Sequence, residues 1–132
     1  MIKEQALFQF FNSAVPGVPA YPNYGVPSKA RGDAEDVAFP YMTYTPVFST
    51  LDEGPVQITV NLWHLTESEV KIGNFVQTLS NAIGRSGQRL NCDGGYIWLR
   101  RGNPFAQPID DESNILIKGR YIIIMASFLT LD

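Results

Sequence analysis

Few residues in this chain could carry acid–base or nucleophilic chemistry. It has a single histidine, His64, and a single cysteine, Cys92. A serine or cysteine nucleophile needs a neighbouring base, and His64 lies between Trp63 and Leu65 at the end of a predicted strand. We therefore interpret His64 as a structural or surface residue. Cys92 alone can build neither an internal disulfide nor a thiolate zinc site, so we expect a buried or turn-adjacent thiol.

The acidic run Asp110-Asp111-Glu112 is the other group that could bind a ligand. It lacks the glycine-containing spacing of a calcium loop, and its default interpretation is a solvated acidic loop. The chain has no G-x-G-x-x-G, Walker or H-E-x-x-H motif. We predict that the protein is not an enzyme, with no catalytic, metal or cofactor-binding residues.

Aromatic and arginine side chains instead indicate binding surfaces. Tyr96, Trp98 and Arg100 share one face of a predicted strand, while Ile97, Leu99 and Arg101 share the other. Groups of Tyr, Trp and Arg are enriched in protein interfaces. In the alternative interpretation, the two aromatics cover the sheet under a helix while Arg100 reaches solvent. Trp63 and Tyr44 pose the same ambiguity.

Charge placement favours association between copies of the chain. The pair Arg100-Arg101 and the run Asp110-Asp111-Glu112 have opposite signs and lie close together in the sequence. One subunit's acidic loop could therefore meet the next subunit's basic strand end in a head-to-tail ring.

The amino-acid composition of the chain argues against several classes of function. The 132 residues are 45% hydrophobic and 17% charged, below the roughly 25% charged that is usual for soluble domains. A net charge of -3 argues against binding nucleic acid as a polyanion, although it leaves room for a local basic patch, and we expect no sequence-specific nucleic acid binding. No apolar run approaches the roughly 20 residues that span a bilayer, and the N-terminus lacks a cleavage signal, so we expect cytoplasmic synthesis. We expect a single domain over residues 1–132.

The first elements are a helix and a long loop. Apolar residues at three- and four-residue steps predict a helix from Ile2 to about Ser13 or Ala14, where Pro16 stops it. Residues 15–38 alternate prolines and glycines and can hold neither a regular helix nor a central strand. Tyr21 and Tyr24 within this loop favour an arm that packs on something.

Two strands and a helix follow. Residues 39–48 carry two prolines, which suits an edge strand, and residues 56–66 alternate as a half-buried strand. A turn at 52–55 would join them in a hairpin. Thr66-Glu67-Ser68-Glu69 matches a capping box that opens a helix ending at Gly84 or Gly87.

Two further strands complete the predicted fold. They span 96–101 and 120–129, with a polar connection at 102–114 between them. The order predicts an α+β fold, in which two helices pack on one face of a four-stranded, mainly antiparallel sheet.

Four segments carry a family resemblance. They are residues 92–108, 39–44 and 60–63, and the closing strand that ends in Phe128-Leu129-Thr130. In these segments the chain resembles the tail terminator, or tail completion, proteins of long-tailed bacteriophages. The resemblance implies an α+β protein that forms a hexameric ring at the head-proximal end of the tail tube. Such a ring ends tube polymerisation and offers a surface for head joining.

The resemblance also implies partners and a location. The partners would be other copies of the chain, the tail tube protein and a head completion or connector protein, with no membrane involved. The protein would be a virion component assembled in the host cytoplasm. One alternative is a neck or head-to-tail connector ring protein. A more distant alternative is a small-ligand or carbohydrate binder that uses Trp63, Tyr96 and Trp98.

Overall fold

The computed structural model describes residues 1–66, 68–110 and 116–131. The helices are α1 (Lys3–Ala14) and α2 (Glu69–Ile83), and a 3₁₀ turn spans Lys29–Arg31. The strands are β1 (Ala20–Pro22), β2 (Tyr41–Tyr44), β3 (Val56–Leu65), β4 (Gln88–Cys92), β5 (Gly95–Asp110) and β6 (Ile117–Thr130).

The six strands form one curled sheet, a half-barrel, in the order β1-β2-β3-β6-β5-β4. β1 and β2 are parallel, and every other neighbouring pair is antiparallel. The prediction of a four-stranded, mainly antiparallel sheet is therefore wrong, because the sheet is six-stranded and mixed.

The two strands that the sequence pattern missed lie at the sheet edges. β1 is only three residues long and ends at Pro22, whose missing N–H is tolerated at an edge. β4 reads Gln-Arg-Leu-Asn-Cys and is too polar to show apolar alternation. Because β1 pairs with β2, the segment predicted as an edge strand is not at the edge, and only residues 41–44 of it are strand.

The predicted polar connection at 102–114 is also wrong over its first half. β5 continues to Asp110, with a register irregularity between Arg101 and Ala106. β4 pairs with β5 only as far as Leu99, so this extension has one free edge. Prolines at 104 and 108 can therefore lie in it without breaking a ladder on both sides.

Both α-helices lie close to their predicted positions. α1 ends at Ala14, and α2 ends at Ile83 before Gly84, whose φ of 78° suits glycine. The predicted capping box is wrong, because the N-cap of α2 is Ser68. Its Oγ accepts the Lys71 N–H at 3.3 Å, while Thr66 Oγ1 accepts the Ser68 N–H at 3.0 Å. Glu67 lies outside the described residues.

One apolar core holds the helices against the sheet. The predicted antiparallel pairing of β2 with β3 is confirmed, with Tyr44 opposite Val60, but residues 45–55 connect the strands, and not the turn at 52–55 alone. Val60 in turn faces Ile122 of β6. Alternate residues of β3, β5 and β6 are fully buried on this face and share one cluster with the buried stripes of both helices. Apolar residues recur every two residues in the strands and about every 3.6 residues in the helices, so the apolar sides of the sheet and of the helices face each other.

The helix α1 closes the gap between the two outermost strands. It contacts both β1 and β4, at opposite ends of the strand order. Phe11 is fully buried beneath it, and its ring stacks on Tyr44 with centroids 4.7 Å apart. We call this junction of β1, α1 and β4 the seam.

The Pro/Gly-rich segment begins by packing on its own core. Val15, Val18 and Ala20 are buried. The Asn12 side chain acts like a strand partner for Ala20: its Nδ2 donates to the Ala20 carbonyl and its Oδ1 accepts the Ala20 N–H, both at 3.0 Å. These bonds occupy backbone groups on the free edge of β1. The arm predicted from Tyr21 and Tyr24 is thus anchored by residues next to them.

Candidate interaction surface

The outer side of the curled sheet carries large apolar side chains. Residues of β3, β5 and β6 that alternate with the buried core residues project to this side, away from both helices. The large apolar side chains among them are half-buried, and Arg100 is exposed. We call this surface the open face, defined by Trp63, Tyr96, Trp98, Arg100, Tyr121, Ile123 and Met125.

Glycines let the largest of these side chains lie flat against neighbouring strands. Trp63 is paired with Gly119, and a Cβ at position 119 would come within 2.5 Å of the Trp63 ring. The Trp98 ring lies against Gly87 in the same way, with 2.7 Å from such a Cβ to its Nε1. These contacts fix the two indoles as parts of a smooth surface.

The charges of the open face are positive. The Arg89 guanidinium lies over the Tyr96 ring, 4.1 Å from its centroid, a distance that suits a cation–π contact. Arg100 is exposed beside Met125 of β6. The described residues that project to this side of β3, β4, β5 and β6 include no carboxylate. The surface thus combines aromatic area with guanidinium groups.

Arg101 does not extend this positive surface. It projects to the helix side, where its Nη1 donates to Ser80 Oγ of α2 at 2.9 Å. Arg100 and Arg101 therefore lie on opposite faces, as strand alternation predicts. The acidic partner proposed for this pair is only partly described. Asp110 ends β5 opposite Lys118, and Asp111 and Glu112 lie outside the described residues.

Tyr24 lines a second surface, on the helix side of the molecule. It is 66% exposed, while Tyr21 is half-buried in β1. An open groove of about 380 Å³ runs between α1 and the strands β1 and β2. We call it the α1 groove, and its lining includes Ile2, Glu4, Phe8, Pro22, Tyr24 and Tyr44.

The α1 groove joins aromatic rings to a carboxylate. Tyr44 is 4% exposed, and burial, with Tyr24 and Glu4 nearby, raises its pKa to about 12. Phe8 is 46% exposed and adds an apolar wall. The first helix contributes Glu4 and Phe8 and a distant loop contributes Tyr24, so the sequence pattern indicated Tyr24 as a contact residue but neither Glu4 nor Phe8.

The single histidine has no catalytic neighbour among the described residues. Its Nδ1 is buried without a hydrogen-bond partner, and its ring lies 5.6 Å from that of Phe75. Burial, and then the charge of Lys71, lowers the pKa of His64. The described residues also include no group of three histidine, cysteine, aspartate or glutamate side chains placed to hold a metal ion.

Near His64, the first turn of α2 is tied to β6 by ion pairs. Arg120 Nη2 donates to Glu69 Oε2 at 2.5 Å, and Lys118 Nζ lies 3.5 Å from Glu69 Oε1. The hydrogen bond from Arg120 is the main cause that lowers the pKa of Glu69. These contacts hold the helix on the sheet.

Cys92 is half-buried beside the turn that joins β4 to β5, and burial raises the pKa of its thiol.

Within the ranges that the structure describes, no helix has the length and apolarity needed to cross a bilayer. Comparison of the chain with protein-family models, with curated proteins and with solved structures finds no match.

Proposed function

We propose that this protein is a structural component of a bacteriophage tail. It forms a ring at the head-proximal end of the tail tube, ends tube polymerisation and provides the surface for head joining. Its partners are further copies of itself, the tail tube protein and a head completion or connector protein. The resemblance in the aromatic strand and its neighbours suggests this role.

The open face is the observation that carries the proposal. A broad sheet face that combines tryptophan, tyrosine and arginine is typical of protein interfaces. Small ligands bind preferentially in concave sites, whereas this face lies on the outside of the curl. A macromolecular partner therefore suits it better than a sugar or another small molecule.

The proposal is tested by adding the purified chain to polymerising tail tube protein and measuring tube lengths by electron microscopy. We expect the chain to limit growth and to be found at one end of each tube. A chain that binds finished heads and leaves tube growth unchanged would instead be a neck connector. A chain that binds neither tubes nor heads would contradict the proposal.

A variant of the open face makes the test specific. Met125→Lys adds a positive charge beside Arg100 without altering the buried face of β6. We expect this variant to fold and to lose its effect on tube length. Val70→Lys is the matched control, because Val70 is 70% exposed on α2, away from the open face. An equal effect of both variants would contradict the role of the open face.

A further inference from the structure

The α1 groove has the chemistry of a receptor for a positively charged side chain. It exposes the rings of Phe8 and Tyr24 together with the carboxylate of Glu4, while Tyr44, 4% exposed, forms its floor. Aromatic faces attract cations, and a nearby carboxylate adds direct charge attraction. The described residues that line the groove include no lysine or arginine. An arginine flanked by apolar groups would match both features.

The chain itself displays such an arginine on the open face. Arg100 is exposed, with Trp98 two residues away on the same side of β5 and Met125 opposite it on β6. Neither Arg100 nor Glu4 has an ion-pair partner among the described residues. The two complementary surfaces lie on opposite sides of the sheet, so one copy cannot satisfy both by itself.

We propose that the α1 groove of one copy binds Arg100 and the neighbouring open face of a second copy. The two surfaces differ, so the contact is heterologous and leaves one groove and one arginine available for the next copy. Successive contacts of this kind close a ring when the rotation between copies permits. The inference rests on the proposed ring and identifies the two surfaces that build it.

Charge exchange between the two surfaces tests the inference. Glu4→Arg and Arg100→Glu each place like charges at the contact, and the double variant restores an opposite pair. We expect each single variant to weaken self-association about tenfold or more, and the double variant to recover most of that loss. Analytical ultracentrifugation over a concentration series measures these changes in the full chain.

Matched controls separate this contact from a general charge effect. Asp52→Arg and Lys71→Glu make the same charge reversals at exposed positions outside both surfaces, and we expect association close to that of the unmodified chain. Circular dichroism and thermal melting establish that every variant folds. Glu4→Gln, which adds no repulsion, should weaken association less than Glu4→Arg.

Several outcomes would overturn the inference. The unmodified chain could remain monomeric, the single variants could assemble normally, or the double variant could assemble no better than either single one. The tube-length assay judges the proposed function separately. A chain that stops tube growth but assembles through other surfaces refutes only the inference, whereas charge exchange that behaves as expected without any effect on tubes refutes only the function.

Discussion

The half-buried imidazole of His64, whose Nδ1 is buried, should make the stability of the protein sensitive to mild acid. Burial and the charge of Lys71 lower its pKa in the folded state below the ordinary 6.5. The unfolded chain therefore takes up a proton first as the pH falls below about 6.5, and the free energy of unfolding decreases from there towards the lower folded pKa. Above that range the histidine leaves stability unchanged.

Urea unfolding at pH 8 and at pH 5.5 measures this dependence, and His64→Gln should reduce it. Glu69 provides an internal comparison. The pKa of its carboxyl is lowered by Arg120, so its contribution to stability begins to fall only below the ordinary glutamate value of 4.5 and is lost as the pH falls through the lower folded pKa. An unchanged slope between pH 8 and 5.5 in His64→Gln would contradict the assignment.

Gly119 is the residue on which the placement of Trp63 depends most. Gly119→Ala would bring a Cβ within 2.5 Å of the indole, so the ring must move. We expect a loss of about 1–3 kcal/mol in the free energy of unfolding, typical of overpacking, and a change in tryptophan fluorescence. The measurement is denaturant unfolding followed by fluorescence.

Gly73→Ala is the matched control for that change. Gly73 lies inside α2, and a Cβ there meets nothing within 4 Å. Alanine favours helix over glycine, so this variant should gain about 0.5–1 kcal/mol. If both substitutions changed stability in the same direction, the Trp63–Gly119 contact would not be the cause.

At the scale of elements, long segments with regular apolar periodicity could be predicted from the sequence, whereas the short edge strands could not. α1, α2 and β3 each show a long repeat of apolar residues, and their positions could be predicted closely. β1 is three residues long and pairs with a strand about 20 residues further on, while β4 forms a tight hairpin with β5 but is too polar to show apolar alternation. The continuation of β5 past Gly102 depends on pairing with β6.

The same distinction applies to the candidate surfaces. Strand alternation correctly placed Arg100 and Arg101 on opposite faces, and it grouped Arg100 with Tyr96 and Trp98. The α1 groove joins residues of the first helix to β1, β2 and the segment after β1. A surface assembled from elements so far apart has no signature in any single window of sequence.

Asn12 is the residue that closes the free edge of β1. Asn12→Ala removes both of its hydrogen bonds to Ala20, and we expect a loss of about 1–3 kcal/mol in the free energy of unfolding because two backbone groups lose their partner. Unpaired strand edges also promote association, so light scattering should show more aggregation.

Asn12→Asp is the informative comparison for that prediction. Aspartate keeps an acceptor for the Ala20 N–H but places a carboxylate oxygen against the carbonyls of Ala20 and Phe8, so the loss should be at least as large as in Asn12→Ala. A clearly smaller loss in Asn12→Asp would contradict the donor role assigned to Asn12 Nδ2.

At the scale of the whole molecule, the seam makes the protein one cooperative unit. Phe11 is fully buried and joins α1 to β2 through Tyr44. We expect Phe11→Ala to lower the free energy of unfolding by about 3–5 kcal/mol. Because both helices share one core, fluorescence and circular dichroism should still report a single transition. Two separate transitions would show that the seam unfolds independently.

The seam also sets an order on folding. α1 is synthesised first but packs against β4, whose residues 88–92 come much later in the chain. In the same way, β3 can pair only after β6 has been synthesised, since Val56 of β3 lies opposite Ala126 of β6. Such non-local contacts slow folding, because long loops must close before any contact compensates for the lost chain entropy. Until residue 92 has been synthesised, α1 cannot complete its packing, and a nascent chain exposes the apolar stripe of its first helix. The docking of the N-terminal helix is therefore a late step, and conditions that slow synthesis extend the period in which the chain can misassociate.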